Sequence, residues 1–449
     1  MDLLYNEETT VGRLASYFSK YFPQLTERTR RLLLWLLIAM LALGCCPSIR
    51  FLFRHFLKDA APASQNCYYR ACKHPGIDFQ QIVRTNVETA LAVTPKELKD
   101  EPVFLSVDDT MVAKFGKRFE DAAILFDHSD HTGHPYVNGH CFVSLTICVP
   151  VVSSLHGIPR IHYVSSSAGY VMWRKDETDK LEIAADLVDD VMPELTGRQV
   201  ILSFDSWYAK KKLLRRIGRY QNLSVITNVR VDTAMYGRRP EPTGKRGRPR
   251  KRGTRIAVDD FDCRYRMGDY LVGCQRVLTN LFGDNPVYAY VTQPKKGKRR
   301  LFLSTISPKG LHMSCAWQET RGLRQTGAGD VMFYPLRLYG FRWHIETNYY
   351  EQKMFWSLKE YRLRSRNGIE HLVNLVNIAH ASMRILPYSM PKLEALRGKS
   401  AQEVRFVLGK LTQREVFFAK LAREAQTDKN ICRIQNALKW LAAYSKDVA

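Results

Sequence analysis

Along the first hundred residues the apolar positions recur at helical spacing: Leu14, Tyr17, Phe18 and Tyr21 fall on one face of a 3.6-residue turn. That texture persists to about Leu98. Ser48-Ile49-Arg50 after Pro47 reads as a helix start, since a serine oxygen accepts the otherwise orphaned N–H groups of a first turn. The longest apolar run is Leu32–Cys46, fifteen residues, against the ~20 that a membrane-crossing helix needs. It predicts a buried helix, with a peripheral membrane contact as the alternative.

After Pro102 the pattern turns to β-branched and aromatic stretches: Val103–Val107, His140–Pro150 and Arg160–Ser166. Glu177–Leu195 then reads as an amphipathic helix, Gln199–Phe204 as a short buried strand, Trp207–Tyr220 as a helix and Leu223–Val229 as a strand. Between Arg230 and Leu338 helical periodicity disappears, and strand-like pieces (Tyr270–Val277, Val287–Val291, Arg300–Ile306) alternate with basic loops. Helix returns at Tyr339, runs past Trp356 and resumes over Ile369–Leu386; Ser400 and Glu403 form a capping box ahead of a last helical segment. The predicted organisation is a helical region 1–98, an α/β region 99–229, a β-rich basic insertion 230–338, a second part of the α/β region 339–389 and a helical region 390–449. Three strands, helix, strand, helix, strand is the order of an RNase H-like α/β core, and other folds share it.

Charge changes the picture. The 449 residues carry a formal net charge of +24, which calls for a polyanionic partner. With 45% hydrophobic and 11% aromatic residues the chain is too apolar for a disordered basic tail, so the charge decorates folded domains. Arg28, Arg30, Arg31, Arg50 and Arg54 on short N-terminal helices suit a helix-turn-helix-like DNA contact, and the ordinary basic surface of a helical bundle fits them equally well. Ten cysteines are scattered without repeated metal-binding pairs, and Met1–Glu8 lacks the cationic start of an export signal. The expectation is a cytoplasmic protein with reduced thiols and no membrane association.

The strongest local pattern is Tyr339-Gly-Phe-Arg342-Trp-His-Ile-Glu346-Thr-Asn-Tyr-Tyr-Glu-Gln-Lys353. On one continuous helix its phenol, guanidinium, carboxylate and ammonium would share a stripe, because offsets of 3, 7 and 14 are close to whole turns. Such a stripe matches a phosphodiester: the carboxylate can hold a metal and Arg342 can fork two phosphate oxygens. The spacing resembles the Tyr-x2-Arg-x3-Glu-x6-Lys signature of the DDE transposases of bacterial cut-and-paste insertion sequences. The resemblance extends to Val107-Asp108-Asp109-Thr110, like the family's Asp-x-Thr at the end of a first strand, and to Ser203-Phe204-Asp205-Ser206-Trp207. It covers roughly residues 103–386.

The resemblance implies an RNase H-like catalytic core interrupted by a β-rich insertion, with Asp108, Asp205 and Glu346 catalytic and ligating two Mg²⁺ or Mn²⁺ ions. It also implies double-stranded DNA as partner, a homodimer in the DNA complex, and a place at the bacterial nucleoid. Adjacent side chains on a strand point to opposite faces, so only one of Asp108 and Asp109 is a ligand; alignment favours Asp108, with Asp109 as the substitute. Tyr339, Arg342 and Lys353 are the expected phosphate contacts. A non-catalytic DNA-binding regulator and a metal nuclease without strand transfer are the alternatives.

Further DNA contacts are expected from Arg246, Arg248, Arg250 and Lys251 in Lys245–Arg252, whose Arg-Gly-Arg-Pro resembles an AT-hook. A basic loop touching phosphates without sequence preference is the alternative. Trp317 is the base-stacking candidate, with core packing the favoured reading for any single tryptophan, and Trp343 either stacks likewise or packs beneath its helix. The histidines at 128, 131, 134 and 140 have no structural-zinc spacing and are expected in the connection after the first strand.

Overall fold

A computed structural model describes residues 3–116, 118–127, 133, 135–155, 158–241, 250–308 and 331–425. The chain divides into two compact units: Met1–Gln81 with Gln352–Met383 and Lys399–Ala449, and Ile82–Glu351 with Arg384–Gly398.

The first unit is helical. The first eleven residues of the apolar run, 32–42, form the C-terminal part of helix Glu27–Ala42, in which Leu33 to Ala42 are all buried, and the helix stops four residues before Cys46. Among the described residues no helix is long and apolar enough to cross a membrane. Helix Thr10–Ser19 is capped twice: Thr9 Oγ1 accepts from the Gly12 amide at 3.0 Å, and the Glu415 carboxylate accepts from the Thr10 and Val11 amides at 2.7 and 2.8 Å. Ser400 and Glu403 cap each other's backbone amides at the start of helix Ala401–Ala425. That helix buries Arg405, which donates to the Met40 and Phe355 carbonyls and lies 4.0 Å from the Trp356 ring centre.

The second unit is built on one mixed sheet. Its strands are β1 (Val103–Ala113), β2 (Ala123–Phe126), β3 (Tyr136–Leu155), β4 (Ile158–Trp173), β5 (Val200–Phe204), β6 (Leu223–Val229), β7 (Met235–Tyr236), β8 (Arg255–Ile256), β9 (Tyr265–Met267), β10 (Tyr270–Thr279), β11 (Val287–Pro294) and β12 (Arg300–Ser304). β4, β3 and β1 form an antiparallel meander; β5 then pairs parallel to β1, and β6 parallel to β5. Helix Lys180–Val191 lies between β4 and β5 in the chain, and helix Lys211–Ile217 between β5 and β6. The strands after Arg230 extend the same sheet, β12 pairing antiparallel with β6 and leading on through β11 and β10.

Several elements depart from the sequence reading. β1 runs six residues beyond Val107, because β3 keeps pairing with it as far as Gly139 opposite Ala113, so Asp108 sits mid-strand. Helix Lys211–Ile217 starts four residues later than expected, since the side chain of Asp205 holds residues 205–208 in a turn. The segment from Tyr339 is not one α-helix: Tyr339–Arg342 is a 3-10 turn and Trp343–Phe355 the α-helix that follows. His140 lies in β3 rather than in a connection. It is buried, bonded to the Glu120 carbonyl at 2.8 Å, and its pKa is lowered by that burial.

Candidate active site

β1 brings the first acid. Alternation along the strand sends Phe104 and Asp108 to one face and Asp109 to the other. On the first face the ring of Phe341 stacks flat on Phe104 with centroids 3.7 Å apart, inside a cluster that also holds Tyr163, Ile201, Ile226 and Leu338. This contact pins the 3-10 turn against the sheet. In such a turn residues three apart are eclipsed, so Tyr339 and Arg342 share a face and Arg342 arrives beside Asp108.

Arg342 Nη1 donates to Asp108 Oδ2 at 2.9 Å, and Nη2 pairs with Glu346 Oε1 one helical turn onward. Arg342 and Asp108 are largely withdrawn from water, at 14% and 18% exposure, while Glu346 is partly exposed. Asp205 follows the last residue of β5, and the pairing of Ser203 with Ser106, continued by two residues, sets it beside Asp108. Its Oδ1 accepts from the amides of Trp207 and Tyr208 at 2.9 and 3.3 Å. Burial, and then the charge of Asp205, push the Asp108 carboxyl up to about 7, while Arg342 and the Asp109 amide pull the other way. The Arg342 pKa is raised: burial opposes its charge, but Tyr339, Asp108 and Glu346 outweigh it.

Asp109 does different work. Its carboxylate takes Lys180 Nζ at 2.8 Å, the Tyr208 hydroxyl at 3.1 Å and the Cys141 thiol at 3.0 Å. Lys180 in turn stands 5.2 and 5.3 Å from the ring centres of Trp173 and Trp207. The network fixes the turn carrying Asp205 from behind. Sequence reasoning missed it, because nothing in the local pattern says that Lys180, 71 residues on, turns toward Asp109.

The structure thus brings Asp108, Arg342 and Glu346 into direct contact, with Asp205 alongside. Tyr339 is half-buried against Phe302, its hydroxyl 3.5 Å from the Phe204 carbonyl and pushed by burial up to about 12. Lys353 lies in the last turn of the Glu346 helix and belongs to the first unit. Trp343, at 64% exposure, is not packed beneath its helix, and Trp207 is 41% exposed beside Asp205. Arg250 and Lys251 are exposed. Arg246, Arg248 and Trp317 lie outside the described residues, as do His128, His131 and His134.

The three acids offer carboxylate oxygens, the donors a hard divalent cation prefers, so they fit Mg²⁺ or Mn²⁺ by donor type. Among the described residues, however, no three His, Cys, Asp or Glu side chains stand together as a ready metal cage, for two of the acids are turned onto Arg342.

Comparison with known families bears on this site directly. A family model described as DDE superfamily endonuclease matches residues 20–264, more than half of the chain, and the chain belongs to that family. The matched residues include Asp108, Asp109 and Asp205 and end before Glu346. A search of curated proteins returned no match.

Proposed function

We propose that the chain is a DNA transposase that binds the terminal inverted repeats of an insertion sequence, cleaves its ends and joins them to target DNA. What supports this is the meeting, through Arg342, of one acid from β1 with one 238 residues later in the chain, next to the acid that ends β5. The β4-β3-β1-β5-β6 order beneath them supports an RNase H-like core. On this reading the strands after Arg230 are an insertion grown onto the edge of that core.

In the proposed reaction Asp108, Asp205 and Glu346 hold divalent cations, which when bound supply activation of the attacking oxygen and stabilisation of the leaving one. The chain's own groups position the substrate. Arg342 offers two parallel N–H donors to the phosphate oxygens, a geometry lysine cannot copy. Lys353 adds a flexible cation and Tyr339 supports the backbone. Water is the first nucleophile and the freed 3′-hydroxyl the second, attacking either the opposite strand or target DNA. Two ends are cut and joined together, so the acting species is a homodimer on double-stranded DNA.

The test is strand transfer. Purified protein with Mg²⁺ and a pre-cut DNA end bearing a 3′-hydroxyl is expected to join that end to a plasmid. Cleavage of uncut ends without joining would reduce the protein to a nuclease, and band shifts with neither product would make it a binding protein.

A further inference from the structure

The guanidinium of Arg342 lies between two carboxylates. It is held by Asp108 on one side and Glu346 on the other, the very pair that a shared metal would have to draw together. Arg342, Asp108 and Glu346 are 14%, 18% and 37% exposed, so their pairing is less screened than a surface ion pair. Arginine is well suited to this double role. Its planar fork satisfies two carboxylates at once, keeps its charge at any working pH, and binds phosphate oxygens with the same geometry.

We infer that Arg342 is a built-in counter-cation: in DNA-free protein it occupies the carboxylate site and holds divalent-cation binding weak, and a DNA phosphate draws it out. Metal loading is thereby coupled to DNA. The coupling is reciprocal by thermodynamic necessity, each ligand strengthening the other by the same factor. This inference rests on the reading of Asp108, Asp205 and Glu346 as metal ligands.

Mn²⁺ binding to the full-length, DNA-free protein, followed by electron paramagnetic resonance of the free ion at fixed pH, tests it without any activity readout. Arg342→Gln is expected to bind Mn²⁺ at least about tenfold more tightly than wild type, a gain of ~1.4 kcal/mol. Arg342→Lys is expected to fall between them, because an ammonium pairs less well with two carboxylates at once; it also keeps the test open should the glutamine variant fail to fold. Equal or weaker binding by folded arginine variants overturns the inference. Asp205→Asn separates this failure from failure of the underlying reading. If it weakens Mn²⁺ binding while the arginine variants change nothing, only the counter-cation role falls. If no protein binds Mn²⁺, or Asp205→Asn binds as wild type does, the metal-ligand reading falls with it.

Discussion

At the residue scale the adjacent acids Asp108 and Asp109 are the sharpest contrast. One strand gives them opposite faces, and their partners differ accordingly: Arg342 and the charge of Asp205 for the first, Lys180 and Tyr208 for the second. Asp109→Ala is therefore expected to act on stability, by about 3–5 kcal/mol, since it strands a largely buried lysine. Asp108→Asn should act on cleavage instead. Denaturant unfolding set beside cleavage rates separates the two; a fully stable Asp109→Ala protein would contradict the assignment. Asp108 also makes a pH prediction. With its carboxyl at about 7 in the folded protein against an ordinary 3.8, the folded state keeps a proton that the unfolded chain has lost. In metal-free protein its contribution therefore lowers stability as pH rises from about 4 to 7 and levels off above. Thermal melts across that range should fall less steeply for Asp108→Asn than for wild type, and parallel curves would contradict the shift.

At the scale of elements, the β1–β3 pairing aligns the site. Gly139 lies opposite Ala113, and a Cβ there would come within 2.1 Å of the Val112 carbonyl oxygen, so no side chain fits without moving β1. Gly139→Ala is expected to cost about 1–3 kcal/mol and to slow cleavage by shifting Asp108, as melting and single-turnover rates would reveal. An unchanged protein would mean that the strands are not so close. Much of this was legible in the sequence. The strands at 103, 200 and 223, the capping box at Ser400 and the spacing of Arg342 and Glu346 all follow from local periodicity. What escaped were features fixed by distant partners: the continuation of β1 to Ala113, short β2, and the break at Arg342, where the Phe341–Phe104 stack holds a 3-10 turn that a helical wheel draws as α-helix. The ion pairs of Arg342 and Lys180 likewise depend on tertiary approach, which spacing does not encode.

At the scale of the whole molecule, a net charge of +24 and membership of the DDE superfamily endonucleases point to a long electrostatic footprint on DNA. Affinity for duplex DNA is expected to fall by about 10³-fold or more between roughly 50 and 200 mM salt, as counterion release requires. Binding titrations across that range would expose a flat response, which the charge argument forbids. The central claim, however, is that three acids far apart in sequence form one cleaving centre, and a single variant tests it most directly. Glu346 lies beyond the residues matched to the family, so its role owes nothing to that match. Single-turnover nicking of an element end with Mg²⁺, measured at saturating protein, is expected to drop for Glu346→Gln by more than the ~10–100-fold typical of losing an outer-shell partner. Nicking at the wild-type rate would contradict the account.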